Sequence, residues 1–411
     1  MVGGPVIVVE PLPHATTAAV GAFVRSGSAH EPAHLAGITH LIEHLLLRRT
    51  ARRATAEIAE LIDALGGGVD VYTTRESCAI TAHVPAVRFS EALDLIVEAL
   101  FAPRFTAADV RLERGIVAAE FDLVQDSPAE SAAERALLAA WDGHPLARPV
   151  LGERGIVERL GVESLRTYHR QRFTTSRLLV VAAGPLSEAT IARRLPAPSP
   201  SSPEPALAPP VWHPGVMVEE REGLEQVYVN LVLPGLPAGH PDGLVLAVLH
   251  QLLGAGNASR LFRELRDRRG LVYEVESAVD ATSLAGVLEV VFSAPVRQVA
   301  AAWAAVLKVL EEVGEGRIAD REVALARESI ASAIVLGTEG PDALMEAHAA
   351  EMLARGRRFD AAQLRRELDA VTPERVRELA RRLVRLELLA GAVCGPPRGL
   401  LLPAAVTRRV A

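Results

Sequence analysis
A proline-rich stretch near the middle of the chain sets the first limit on its fold. From Leu195-Pro196-Ala197-Pro198 through Ala208-Pro209-Pro210 the residues are mainly proline, serine and alanine, and Glu204 is the only charge. Proline removes a backbone donor and fixes φ, so this stretch forms neither a helix nor an interior strand and reads as an extended linker. It divides 411 residues into nearly equal halves. That length exceeds one ordinary core and suits two domains. The expected organisation is a domain over 1–195, a linker over 196–213 and a second domain over 214–411.

Each half mixes strands with longer amphipathic helices, a layout that suggests duplication of one α+β unit. In the first half, β-branched and apolar runs predict strands over 6–9 and 17–25. Helices are expected over 35–47 and 54–65. Gly66-Gly67-Gly68 ends the second of these and opens a strand pair, 69–74 and 77–84. Helices over 89–100 and 107–125 follow. In the second half, a strand over 225–233, helices over 244–253 and 259–266, and strands over 272–278 and 287–293 precede long helices rich in Ala, Glu and Arg.

Composition narrows the function classes. With 49% hydrophobic and 23% charged residues the chain has a soluble globular profile. A net charge of -7 argues against nucleic acid as the main partner, and the basic residues are scattered arginines with Lys308 the sole lysine. Cys78 and Cys394 lie far apart, which excludes a disulfide framework and a cysteine-based zinc site. Met1-Val2-Gly3-Gly4-Pro5 has no basic and apolar leader pattern, and no apolar run reaches the roughly 18 residues of a membrane span. The expectation is a cytoplasmic protein with no membrane partner.

The chemistry concentrates in His40-Leu41-Ile42-Glu43-His44, an H-x-x-E-H motif. On a helix, positions four apart lie one above the other, so both imidazoles can meet one metal ion. Glu43 then projects beside the metal, where a general base for a metal-activated water belongs. Further on, Glu113 and Glu120 lie seven apart on a predicted helix. Seven residues is almost two turns, so both carboxylates share a face. Taken alone, such a pair is the charged solvent side of an amphipathic helix.

H-x-x-E-H followed about 75 residues later by E-x-x-x-x-x-x-E resembles the insulinase/pitrilysin (M16) family of zinc metallopeptidases. Gly27-Ser28-Ala29-His30-Glu31, Gly37, Thr50, His144-Pro145-Leu146 and Val150-Leu151-Gly152 match its surrounding pattern. Beyond the linker, Leu253-Gly254-Ala255-Gly256-Asn257-Ala258-Ser259-Arg260-Leu261 is similar to the family's L-G-x-G-x-x-S-R-L segment. Arg266 and Tyr273 follow as its Arg/Tyr pair.

The resemblance implies two homologous α/β-sandwich domains, mostly antiparallel sheets with helices on one side, facing each other across a chamber. It implies one Zn²⁺ per chain on His40, His44 and Glu120, with Glu43 as general base and Glu113 orienting a ligand histidine. Tyr273 would stabilise the oxyanion and Arg266 would hold substrate or the tyrosine. Asp70, Val71, Tyr72 and Thr73 would form an edge strand that pairs with extended peptide. Leu41-Ile42 replaces the family's Phe-Leu, an apolar exchange that should keep the packing. Two departures bear on specificity: Asp70 stands where a neutral amide is usual, and Glu76-Ser77-Cys78-Ala79-Ile80 replaces the family's E-x-T-x-Y. The implied activity is endopeptidase cleavage of short or unfolded peptides by a homodimer, or by a heterodimer with a paralogue. The alternative is a catalytically reduced structural subunit. His144, His169 and His250 have no visible chemical partner in the sequence and read as structural.

Overall fold
The computed structural model describes residues 4–199 and 206–399. Residues 200–205 of the expected linker and the first three residues of the N-terminus lie outside the described residues, and 196–199 and 206–213 carry no helix or strand. The chain forms two compact units, Met1–Asp122 with Arg148–Leu207 and Leu336–Phe359, and Leu123–Ala147 with Ala208–Val335 and Asp360–Ala411. A single cut in the linker therefore does not separate them. Helix Pro128–Ala140 lies in the second unit and helix Pro341–Arg355 in the first. Periodicity shows that a helix has an apolar face but not which sheet receives it.

The first unit contains β1 (Val6–Pro11), β2 (Thr17–Val24), β3 (Val69–Thr73), β4 (Cys78–Pro85) and β5 (Leu178–Gly184). Their order is β1-β5-β2-β4-β3. β1 runs parallel to β5, and the other three pairings are antiparallel. The expected strands did not include β5. Its sequence Leu-Leu-Val-Val-Ala-Ala-Gly is buried throughout, the continuous apolar run of a strand covered on both faces.

Side-chain alternation along β2 sorts the core. Ala18, Val20, Ala22 and Val24 share one cluster with Ile38, Leu41 and Leu45 of helix Ile38–Leu46, and with Leu93 and Ile96 of helix Phe89–Phe101. Ala19 and Phe23 face the other way, onto Leu179, Val181, Met345 and Ala349. One helix, Pro341–Arg355, thus covers the face opposite the main helical layer. Its His348 is buried, with Nε2 3.2 Å from Glu10 Oε2 and Nδ1 accepting from the Phe359 N–H.

The second unit repeats the plan with β6 (Gly215–Glu220), β7 (Gln226–Pro234), β8 (Val275–Ala281), β9 (Gly286–Pro295) and β10 (Ala390–Gly395). The order is β6-β10-β7-β9-β8, again with one parallel pairing, β6 to β10. Helix Pro128–Ala140 packs on β10, β7 and β6. There Ser131 and Arg135 donate to Glu219 Oε2 at 2.6 and 3.0 Å. Glu10 and Glu219 each hold the fifth position of the outer parallel strand. Two matching anchors on matching strands support the duplication inferred from layout. Neither β6 nor β10 was expected. The strand anticipated over 272–278 is shifted to Val275–Ala281, and the helix anticipated to end at 266 runs on as a π-helix over Phe262–Arg268. No helix among the described residues is long and apolar enough to cross a membrane.

Candidate functional site
The motif helix begins later than expected. Residues 33–35 form a separate 3-10 turn, and Gly37, at φ +95°, starts helix Ile38–Leu46. A Cβ at Gly37 would sit 2.4 Å from the Leu151 oxygen and 2.6 Å from Val157 Cγ2. Only glycine accepts both this left-handed backbone and that close approach. The helix thereby enters with Leu41, Ile42, Leu45 and Leu46 buried and His40, Glu43 and His44 at the edge of the core.

Helix Ala107–Asp126 brings the carboxylates. His40 Nε2 lies 3.6 Å from Glu120 Oε2, and His44 Nε2 lies 3.4 Å from Glu120 Oε1. The two imidazoles are 4.7 Å apart between ring centres, edge to face. One ligand atom from each of His40, His44 and Glu120 falls within 4.8 Å of the others, the only such group among the described residues. Ligands at 2.0–2.1 Å around a tetrahedral zinc are roughly 3.3 Å apart, and the 3.4 and 3.6 Å separations, each to a different oxygen of Glu120, lie close to that spacing. Two atoms of this cluster, Glu120 Oε2 and His40 Nδ1, are buried without a hydrogen-bond partner. A carboxylate oxygen in that condition is a natural cation ligand.

Protonation agrees. Burial, together with the neighbouring charge of His44, lowers the pKa of His40 to about 4, so the imidazole is neutral at physiological pH. His44 Nδ1 lies 3.3 Å from Glu113 Oε2. In the neutral tautomer that donates there, Nε2 keeps its lone pair toward Glu120. Burial raises Glu43 to about 7, with the charges of Glu120 and Asp70 adding to it against the Thr73 hydroxyl and His44. A carboxylate with that pKa exchanges protons near neutrality.

β3 is the edge strand of its sheet, pairing with β4 on one side, and the motif helix packs alongside it. Asp70, Val71, Tyr72 and Thr73 lie on this strand. Arg266 and Tyr273 belong to the second unit. The Arg266 guanidinium stands over the rings of Phe262 (4.8 Å) and Tyr273 (5.2 Å), and Tyr273 is 81% exposed. Both line a groove of about 470 Å³ with His250, Asn257 and Glu276. Arg266 sits in the π-helical stretch Phe262–Arg268, a geometry frequent at functional sites. His144, His169 and His250 bind elsewhere, to the Ala208 oxygen, the Leu100 oxygen and the Ser277 hydroxyl.

Residues 6–154 match the family described as insulinase (peptidase family M16), and 159–330 match the peptidase M16 inactive domain. An uncharacterised zinc protease of Mycobacterium tuberculosis is 32% identical over 403 residues, covering 96% of this chain and 92% of the relative. The chain belongs to the M16 peptidase family. A probable mitochondrial-processing peptidase subunit beta of Arabidopsis thaliana is 24% identical, over 94% of this chain and 76% of its own length. The fold is that of a solved Helicobacter pylori protease, with TM-score 0.86, 19% identity and coverage of 96% of this chain and 98% of that one.

Several neighbours of this M16 site escaped the motif reading. Arg48 Nε lies 3.4 Å from Glu113 Oε1 and 3.9 Å from Asp109 Oδ1. Arg49 Nε donates to Asp109 at 3.0 Å, and its guanidinium holds the Asp109 carboxyl below the usual range. The signal was present: Arg48 follows His44 by one helical turn, and Asp109 precedes Glu113 by one. Tyr168, whose hydroxyl is 3.0 Å from Thr39 Oγ1, comes from a distant helix and left no such signal.

Proposed function
We propose that this M16 protein is a zinc-dependent endopeptidase acting on short or unfolded peptides. The observation that supports this most directly is the convergence of His40, His44 and Glu120 beside a half-buried Glu43. His40, His44 and Glu120 would hold one zinc ion. Such an ion, when bound, polarises the scissile carbonyl and acidifies water. Glu43 takes the proton of the attacking water and passes it to the leaving nitrogen, a role its pKa of about 7 favours. Glu113 fixes the tautomer of His44. The open edge of β3 receives the substrate backbone as an added strand, with Asp70 at its rim favouring a basic side chain. The family resemblance would give Tyr273 an oxyanion-stabilising role, and within the second unit Arg266 already stands over its exposed ring. The active species is a homodimer or a pair with a paralogue, in keeping with the subunit name of the Arabidopsis relative.

The test combines metal analysis with the Glu43→Gln variant. The parent should carry one zinc per chain and cleave unstructured peptides, losing both properties with a chelator. Glu43→Gln should keep zinc and lose hydrolysis by roughly 10²–10⁴-fold. Cleavage by the variant at the parent rate would exclude Glu43 as the base. Protein purified without chelator that holds no stoichiometric zinc would favour the reduced, structural subunit.

A further inference from the structure
The motif helix has a second support at its opposite end from Glu113. An α-helix leaves its first four N–H groups without intrahelical acceptors. Glu31, contributed by the loop after β2, fills two of these places. Its Oε2 accepts from the Gly37 N–H and its Oε1 from the Thr39 N–H, both at 2.7 Å. Glu31 is only 4% exposed. Arg148 donates to the Glu31 backbone oxygen at 3.0 Å, which fixes the loop that carries it. Thr39 is held a second time, through its hydroxyl, by Tyr168. Thr39 immediately precedes His40, so its backbone position sets where the first imidazole projects.

We propose that Glu31 is a positioning residue for the metal centre, clamping the first turn of the motif helix so that His40 is presented to the ion in a fixed place. Two acceptors on one rigid side chain define both the start and the rotation of that turn, which a single cap would not. Glycine at position 37 makes the arrangement possible, since its left-handed backbone aims the Gly37 N–H back at the carboxylate. The inference rests on the reading of His40, His44 and Glu120 as zinc ligands.

Zinc affinity of the full-length chain tests it, measured by chelator competition, with urea unfolding of the metal-free protein alongside. Glu31→Ala leaves two buried N–H groups without acceptors. Glu31→Gln keeps the volume and one acceptor. The expected result is zinc binding weakened roughly tenfold or more in Glu31→Ala and less in Glu31→Gln, as for other outer supports of metal ligands. A purely structural residue would lower metal-free stability and leave the zinc Kd of the folded protein unchanged. Should Glu31→Ala fail to fold, the Gln variant decides: parent-like affinity in folded Glu31→Gln overturns the proposal. A parent chain that binds no zinc instead overturns the metal site on which the proposal rests.

Discussion

Replacing Glu113 distinguishes a support for the metal from a core ion pair. The carboxylate is buried between His44 Nδ1 at 3.3 Å and Arg48 Nε at 3.4 Å. Glu113→Gln keeps the side-chain volume and one acceptor for the His44 N–H, and removes the charge facing Arg48. Glu113→Ala removes both, leaving Arg48 with Asp109 at 3.9 Å. A partner behind a ligand histidine is typically worth about 10–100-fold in metal affinity, or about 1.4–2.7 kcal/mol. The Gln variant retains the tautomer-fixing bond, so its loss belongs near tenfold. The Ala variant loses that bond as well, and belongs near a hundredfold. Zinc Kd from competition with a chelator of known affinity, on protein shown to be folded by circular dichroism, measures both. A folded Glu113→Ala variant with the parent's zinc affinity would refute the role and leave Glu113 as a buried countercharge for Arg48.

Gly37→Ala forces a left-handed backbone on a side chain that meets the Leu151 oxygen at 2.4 Å. The backbone alone costs about 1–2 kcal/mol, so urea unfolding should show at least that loss, and a smaller one contradicts the packing described. Met345→Ala empties a buried site against Phe23, Leu179 and Val181 and should destabilise the protein by about 2–5 kcal/mol. A change under about 1 kcal/mol would mean that helix Pro341–Arg355 contributes little to the first sheet. Burial raises Glu31 from the ordinary 4.5 to about 7 in the folded state. The folded protein therefore holds this proton more tightly than the unfolded chain. That contribution is fully present below pH 4.5 and is lost as pH rises through about 7, with a ceiling of about 3 kcal/mol. In metal-free protein, the stability of the parent relative to Glu31→Gln should fall across that interval, and a flat difference rules the shift out.

Much of the site was legible because its spacing is a property of helices. His40 and His44, one turn apart, and Glu113 and Glu120, two turns apart, need only helical geometry to share a face. Their capacity to act together needed the two helices to pack, and that the motif could only imply. The strands that escaped notice, β5, β6 and β10, show why. β5 and β10 are the inner strands of the two parallel pairings, buried on both faces. Alternation is absent there, and short apolar runs do not distinguish strand from helix.

The sequence by itself determined the residue types of the candidate metal site and the repetition of one α+β plan, because spacing and layout are local properties, whereas the start of the motif helix at Gly37 came from the structure. Tertiary structure alone decided which sheet receives each exchanged helix, since residues 128–140 and 341–355 pack in units they do not adjoin along the chain. It also decided which buried groups steady the motif helix. Glu31 and Tyr168 reach Thr39 from 8 and 129 residues away, and contacts of that kind are fixed by packing rather than by periodicity.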